Sequence, residues 1–163
     1  LVDKVRMYRD HGRRTKFEYE TVGYNARIDN LQAVVVQAKL QKIDQWLAKK
    51  RKICQRYTEK LKDVVITPKE ASWSYHTYYV YVIEVPKETR DALQIFLKDK
   101  GIATNIHYKF PTHTTKAFEK YGQSLPRTEY VCNNILSLPC YHSLPEHHQD
   151  YIVDAVKEFY EKH

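Results

Sequence analysis

Apolar residues recur at helical spacing through a long stretch in the first half of the chain. The capping-box pattern Asp29-Asn30-Leu31-Gln32 opens this stretch. Apolar positions then follow at steps of 3, 4 and 7 residues: Val36, Leu40, Ile43, Leu47, Cys54, Tyr57 and Leu61. The pattern predicts one continuous helix of about 50 Å, since an α-helix rises roughly 1.5 Å per residue. The mixed residue types favour a helix that bridges two domains or lines a subunit contact over a coiled-coil dimer.

The chain begins inside another helical pattern. Leu1, Val2, Val5 and Met7 have helical spacing, and no capping residue precedes them. We therefore expect this helix to begin upstream, in a longer protein of which the chain is a fragment. The residues between His11 and Ile28 are polar and irregular, which predicts a loop.

The second half of the chain alternates strand and helix patterns. Thr77–Val85 is apolar on both alternating faces, which predicts a strand covered on both sides, and Ile102–His107 predicts a short second strand. A further short apolar strand is expected at Ile135–Pro139. Helices are predicted at Lys87–Lys100 with Gly101 after its end, at Thr114–Tyr121, at Pro126–Ile135, and from the start signal Ser143-Leu144-Pro145-Glu146 onwards.

These elements predict an α/β fold in which helices pack on a small sheet and one long helix spans the molecule. We expect residues 1–63 to contain the first helix, the loop and the long helix. Residues 64–163 are expected to form a small carboxy-terminal α/β domain.

Composition indicates a globular chain without a preference for nucleic acid. Of the 163 residues 42% are apolar and 29% charged, and 27 basic residues are interleaved with 20 acidic ones, giving a net charge of +7. The densest basic run, Lys49–Lys52, falls within the predicted long helix and is typical of a solvated face. No nucleic-acid-binding module accompanies it, and an anionic small molecule remains open as a partner.

The cysteines indicate a reducing, cytoplasmic setting without a metal. Cys54, Cys132 and Cys140 are odd in number and lack paired short spacing, and no signal segment or span of about 20 apolar residues is present. Zinc could be imagined near Cys140 because of His142, His147 and His148. The spacing of these residues, however, does not match structural zinc sites, so we predict no metal and no membrane insertion.

Two polar segments contain side chains suited to ligand binding. In Gly23-Tyr24-Asn25-Ala26-Arg27, Asn25 offers an amide and Arg27 a guanidinium for phosphate or carboxylate. The alternative interpretation is a capping loop in which Arg27 pairs with a nearby acid. In Ile106–His113, His107, Tyr108 and His113 follow a predicted strand end, where they bind ligands or form structural hydrogen bonds. Lys109 lacks the burial that a Schiff-base lysine needs.

Four groups of motifs, in order, resemble the carboxy-terminal half of the DegT/DnrJ/EryC1/StrS aminotransferases. They are Gly23–Arg27 with Asn30–Ala33, then Ala38–Leu40 with Lys49–Ile53, then Gly101–Thr104 with Ile106–Tyr108 and Pro111–His113, and finally Leu136–Pro139. Each motif is short, but together they span almost the whole chain. Ala26, where the family usually has an aromatic residue, and Lys109-Phe110 depart from the family pattern and suggest a different substrate choice.

The resemblance implies the small domain of a fold type I enzyme that uses pyridoxal 5'-phosphate. Such enzymes are homodimers that move an amino group, usually from glutamate, onto a nucleotide-linked keto sugar. Asn25 would reach the cofactor phosphate of the partner subunit, and Arg27 would hold anionic groups there. His107, Tyr108 and His113 match positions near the substrate.

The resemblance also implies that catalytic groups are missing. In the family the Schiff-base lysine belongs to the large domain, which this chain lacks, so we predict that the chain has no catalytic residue of its own and is inactive alone. The alternative is a non-catalytic binding or dimerisation module of the same ancestry. The sequence does not separate an aminotransferase from a sugar dehydratase of the same family.

Overall fold

The computed structural model describes residues 1–162. Its α-helices are α1 (Val2–Tyr8), α2 (Asn30–Leu40), α3 (Ile43–Leu61), α4 (Lys87–Asp99), α5 (Pro126–Asn134) and α6 (Glu146–Lys162). Its strands are β1 (Tyr81–Glu84) and β2 (Ile135–Leu138), and short 3-10 turns cover Thr112–Thr114 and Glu119–Tyr121. The chain forms two compact units, Leu1–Asp44 and a larger one that begins at Gln45. The prediction of helices packed on a small sheet is confirmed, while the boundary expected after residue 63 stays a prediction about the longer protein.

The first unit contains α1, a loop and α2. The predicted first helix is present as α1, and α2 begins directly after Asp29. The carbonyl of Asp29 accepts the N–H of Ala33 at 2.8 Å, but the Asp29 side chain makes no capping hydrogen bond. The sequence thus predicts the start of α2 correctly without the side-chain contact that its capping box suggests. Apolar side chains of α2 are largely exposed, Leu31 by 84%.

The prediction of one continuous helix from residue 29 to residue 61 was wrong. α2 ends at Leu40 and α3 begins at Ile43. At the break the N–H of Lys42 donates to the carbonyl of Lys39 at 3.0 Å, a bond over three residues that tightens the end of α2 into a turn. This turn contains neither Gly nor Pro, and the apolar spacing continues across it. The sequence pattern therefore carries no signal for the break.

The sheet of the second unit is a short antiparallel pair. β1 and β2 align with Tyr81 opposite Leu138 and Glu84 opposite Ile135. Single bridges extend this pair on both edges, with Ile66 opposite Glu84 and Asn105 opposite Ser137. The second bridge brings the segment that leads to His107 against the middle of β2.

Two strand predictions were too long. The ladder of β1 begins at Tyr81 and not at Thr77, because Tyr78 has a left-handed backbone (φ 47°) and donates its N–H to the His76 ring at 2.9 Å. The outer face of β1 is half-buried, so this strand is not fully covered on both sides as the sequence predicted. The strand expected at Ile102–His107 is reduced to the single bridge at Asn105, so most of that segment lies outside the regular sheet.

Helices α3, α4 and α6 pack with the sheet around one apolar core. Its largest fully buried side chains include Tyr57, Leu61, Tyr81, Ile83, Leu93, Leu97, Leu136 and Val156. The rings of Phe96 on α4 and Phe159 on α6 lie 5.5 Å apart and join the two helices. The prediction that α6 buries Ile152, Val153, Val156 and Phe159 is confirmed, with Tyr160 only half-buried.

The remaining helix predictions have mixed outcomes. α4 and α5 lie within a residue of their predicted bounds, and Gly101 follows α4 with a positive φ of 75°. The helix predicted at Thr114–Tyr121 is replaced by 3-10 turns, because the Thr114 and Thr115 hydroxyls bond to nearby carbonyls and favour turn geometry. α6 begins at Glu146, later than a Ser143 cap implies, and the carbonyl of Pro145 accepts its first N–H bond.

Candidate active site

The segment Gly23–Arg27 is fixed by backbone hydrogen bonds to the last residue of α1 and to the residue after it. The N–H of Tyr24 donates to the carbonyl of Tyr8 at 2.6 Å, and the N–H of Ala26 donates to the carbonyl of Arg9 at 2.9 Å. Between these two bonds the Asn25 side chain is exposed. A rigid backbone with an exposed amide is an arrangement suited to binding a phosphate of another molecule.

Gly23 is required by a close approach of two backbone segments. A Cβ atom at this position would lie 2.1 Å from the backbone nitrogen of Gly12 and 2.6 Å from the carbonyl carbon of His11. Any side chain would therefore push the two segments apart. The glycine thus fixes the position of the neighbouring Asn25.

Arg27 belongs to a cluster of three charges. Its guanidinium donates to Asp10 Oδ1, while Nε of Arg13 donates to Asp10 Oδ2 at 2.7 Å. The hydrogen bond from Arg13, and after it the one from Arg27, lowers the pKa of Asp10 from 3.8 to about 2. The structure therefore shows the pairing with a nearby acid that the sequence left open. Arg27 is still half-exposed, so part of its guanidinium faces solvent.

His107 is held by hydrogen bonds at both ring nitrogens. The Ile106 N–H donates to Asn105 Oδ1 at 2.8 Å, which orients the amide so that Asn105 Nδ2 faces His107 Nε2 at 3.1 Å. Because an amide nitrogen only donates, Nε2 is the acceptor and the ring proton is on Nδ1. That Nδ1–H donates to Ser137 Oγ at 2.9 Å. The chain thus selects one neutral tautomer and one orientation of the ring.

Tyr108 and His107 border a shared cleft of about 340 Å³. Their ring centroids lie 6.0 Å apart, nearly perpendicular, and Tyr108 is 74% exposed. Arg127 on α5 lines the same cleft, as do Phe110 and Ile135. The cleft combines an exposed phenol, aromatic faces and a guanidinium, which are groups that bind sugars and phosphates.

His113 forms a separate contact at the start of α5. Its Nε2 lies 3.0 Å from Glu129 Oε1, which also accepts the N–H of Leu125 at 3.1 Å. The His113 contact and that backbone bond lower the pKa of Glu129. His113 therefore orders the segment that leads into α5, and it is absent from the lining of the cleft beside His107 and Tyr108.

Three functional candidates escaped the sequence analysis. Asn105 and Ser137 orient His107, and Arg127 adds positive charge beside Tyr108. The sequence could have indicated Ser137, since it is the one hydroxyl residue within the apolar run Ile135–Leu138. It could not have indicated Asn105 and Arg127, because their roles depend on the bridge between Asn105 and Ser137 and on the position of α5.

Three further features of the described residues concern metal binding, membrane crossing and the exposure of Lys109. Among residues 1–162 no group of three or more His, Cys, Asp or Glu side chains is placed to hold a metal ion. No helix in this described range is long and apolar enough to cross a membrane. Lys109 is exposed, with its Nζ 5.8 Å from the centre of the Phe110 ring, and so lacks the burial that a Schiff-base lysine needs.

The sequence is similar to proteins more than twice as long. A pleiotropic regulatory protein from Geobacillus stearothermophilus is 39% identical over 98% of this chain and 44% of its own length. A dTDP-3-amino-3,4,6-trideoxy-alpha-D-glucose transaminase from Micromonospora megalomicea subsp. nigra is 37% identical over 85% of this chain and 39% of its own length. The chain therefore spans less than half the length of these curated relatives.

Solved structures agree with the fold. A DegT DnrJ EryC1 StrS aminotransferase from Brucella abortus superposes with a TM-score of 0.89 at 32% identity, over 96% of this chain and 43% of that one. DesV from S. venezuelae gives the same TM-score at 30% identity, over 97% of this chain and 43% of that one. The sequence profile of the family matches residues 1–157. With nearly all of its residues matched, the chain belongs to the DegT/DnrJ/EryC1/StrS aminotransferase family.

Proposed function

We propose that this chain is part of a pyridoxal-phosphate-dependent aminotransferase that transfers an amino group from glutamate to a nucleotide-linked keto sugar. The observation that carries the proposal is the 37% identity to a transaminase named for a dTDP-linked amino sugar. A UDP-N-acetyl-3-dehydro-alpha-D-glucosamine 3-aminotransferase from Acidithiobacillus ferrooxidans, 31% identical over 90% of this chain, supports the same substrate class. The free thiols Cys54, Cys132 and Cys140 are compatible with a cytoplasmic location.

The cofactor proposal concerns Asn25 and Arg27. Pyridoxal 5'-phosphate supplies the electron sink for amino transfer when it is bound. The exposed Asn25 amide and the half-exposed Arg27 guanidinium fit its phosphate, because both are donors on a backbone held by Tyr24 and Ala26. We infer that they act in a homodimer, each reaching the cofactor phosphate of the partner subunit.

The substrate proposal concerns the cleft beside His107. Tyr108 and Arg127 border it, so the phenol is available to a sugar hydroxyl and the guanidinium to a phosphate of the nucleotide. Both ring nitrogens of His107 already make hydrogen bonds, one to Asn105 and one to Ser137. His107 therefore either forms part of the wall of the cleft, or binds the substrate at Nε2 after the substrate replaces the Asn105 amide there. His113 contributes through Glu129 and the segment leading into α5.

The covalent cofactor lysine is proposed to lie outside this chain. Lys109, the candidate beside the site residues, is exposed and faces Phe110. A reactive lysine needs burial or a cationic neighbour to become a nucleophile at neutral pH. Residues 1–163 would then bind cofactor phosphate and substrate without catalysing transfer by themselves. A non-catalytic binding module is the alternative.

The two half-reactions test the proposal separately. The natural polypeptide that contains this sequence is loaded with pyridoxal phosphate and mixed with glutamate, and 2-oxoglutarate is measured. A nucleotide-linked keto sugar is then added, and the aminated sugar is identified by mass. Formation of both products supports the aminotransferase. A protein that binds the nucleotide sugar but releases no 2-oxoglutarate favours the binding module.

A further inference from the structure

Two cysteines from distant parts of the chain meet inside the second unit. The Sγ atoms of Cys54 on α3 and Cys140, two residues after β2, lie 3.2 Å apart. Cys54 is fully buried and Cys140 is half-buried. The sequence offered no sign of this pair, because 86 positions separate the two residues. The distance is a thiol–thiol contact and not a covalent bond.

Neighbouring hydrogen bonds hold both backbones in place. The Tyr57 hydroxyl donates to the carbonyl of Pro139 at 3.1 Å, directly before Cys140. The Thr58 hydroxyl donates to the carbonyl of Cys54 at 3.1 Å. A disulfide requires a sulfur–sulfur distance of about 2.05 Å. The two sulfur atoms are therefore about 1 Å farther apart than in a disulfide.

The two thiols differ in access and in chemistry. Cys140 is half-buried and lines an open cleft of about 360 Å³ together with His107 and Ser137, whereas Cys54 is fully buried. The hydrogen bond from Cys54 lowers the pKa of Cys140, and the charge of Lys50 acts in the same direction. The same contact raises the pKa of Cys54. Cys140 is therefore the more readily ionised and accessible thiol, and Cys54 is the buried thiol beside it.

We propose that Cys54 and Cys140 form a reversible disulfide site that exchanges with small disulfides such as oxidised glutathione. The Cys140 thiolate attacks one sulfur of the small disulfide, breaks its S–S bond and releases one thiolate, which takes up a proton. Cys54 then loses its proton to solvent, attacks Cys140 Sγ and displaces the second small thiolate. The two cysteines lose two electrons in total, and the small disulfide gains them.

The proposed disulfide lies close to the proposed substrate residues. The new bond would join α3 to the end of β2 beside Ser137, the residue that orients His107. Oxidation would thus act next to the cleft of the proposed substrate residues. The disulfide proposal does not depend on the proposed function, since it rests on the position of the two sulfur atoms.

Peptide mapping of the natural polypeptide tests the site. The protein is fully reduced, equilibrated in glutathione redox buffers, alkylated and digested with trypsin. Trypsin releases Cys54 on residues 53–56 but places both Cys132 and Cys140 on residues 128–157. The Cys132→Ser variant therefore serves as the reference protein, because only Cys140 is then left on the larger peptide.

The expected product is the two peptides joined, with a mass lower by two hydrogens than their sum, and dithiothreitol reverses it. Cys54→Ser is expected to accumulate glutathione on Cys140 instead, because no second thiol displaces it. The proposal is overturned if the reference protein carries glutathione on Cys140 while Cys54 remains a thiol, or if Cys54 and Cys140 both stay reduced in oxidising buffer. Both contradicting outcomes are measured in the Cys132→Ser reference protein, which retains Cys54 and Cys140. The test therefore does not depend on whether Cys54→Ser folds.

Discussion

The His107 ring donates its Nδ1–H to the hydroxyl of Ser137 at 2.9 Å. Ser137 lies in the middle of β2, and its backbone pairs with Asn105, two residues before His107. One short strand thus orients the imidazole by a side-chain bond and fixes its segment by backbone bonds. The cleft that contains Tyr108 borders this ring.

Removing the Ser137 hydroxyl is expected to release the ring of His107. In Ser137→Ala the Nδ1–H of the half-buried His107 ring loses its acceptor, so the free energy of unfolding falls by about 1 kcal/mol and the Michaelis constant for the sugar substrate rises. Nitrogen-15 NMR of the ring, which in the parent protein should show the proton on Nδ1, should then show a mixture of tautomers. Ser143→Ala, at an exposed serine, is the matched control and should leave all three measurements unchanged. An unaltered tautomer in Ser137→Ala would contradict the assignment.

Substitution of Gly23 is expected to displace the Asn25 loop. The Cβ atom of Gly23→Ala would overlap the Gly12 backbone, so the amides of Tyr24 and Ala26 should lose their bonds to Tyr8 and Arg9. Hydrogen exchange at these two amides should become faster. The control Gly122→Ala strains a left-handed backbone (φ 51°) but places its Cβ where no heavy atom lies within 4 Å, and it should leave both amides protected. Unchanged protection in Gly23→Ala would show that the loop accommodates a side chain.

The Asp10 cluster predicts a defined pH dependence. Because Arg13 and Arg27 lower the pKa of Asp10 to about 2, the ionised carboxylate stabilises the fold above pH 3.8, and this contribution is lost as the pH falls through about 2. NMR titration of the Asp10 carboxyl carbon should show the low midpoint, and Arg13→Gln should move it towards 3.8. Arg14→Gln, which removes the ion pair with Glu20, should not move it. An Asp10 midpoint near 3.8 in the parent protein would exclude the cluster in solution.

Loss of the Asn25 amide is expected to weaken cofactor binding. In the natural polypeptide, Asn25→Ala should raise the dissociation constant of pyridoxal phosphate about tenfold, equivalent to about 1.4 kcal/mol for one hydrogen bond to a charged phosphate. Equilibrium dialysis measures this change. Asn30→Ala removes an exposed amide in the same unit and should leave the constant unchanged. Equal affinities in the two variants would remove Asn25 from the cofactor site.

The sequence predicted those elements whose signal is local. The spacing of apolar residues in α4 and α6 agrees with the structure because these helices bury one face against the core. The break between α2 and α3 depends on the backbone bond from the Lys42 N–H to the Lys39 carbonyl, and the short ladder of β1 depends on the bond from the Tyr78 N–H to the His76 ring. The periodicity of apolar side chains does not report such bonds.

The candidate site was predictable only in part. The order of the motifs suggested Asn25 and Arg27, as well as His107, Tyr108 and His113, as candidate site residues, but it gave no sign of the side chains that they contact. Asp10 beside Arg27, and Ser137 beside His107, are contacts between residues distant in sequence. Such contacts depend on tertiary packing, so neither the ion-pair partner of Arg27 nor the tautomer of His107 follows from the sequence.

The location of the covalently bound cofactor tests the central claim most directly. The natural polypeptide is loaded with pyridoxal phosphate, treated with borohydride to fix the cofactor on its lysine, digested, and mapped by mass spectrometry. The proposed function predicts a single modified lysine outside the 163 residues of this chain. Modification of Lys109 or another lysine of this chain, or a protein in which no lysine is modified, would contradict it.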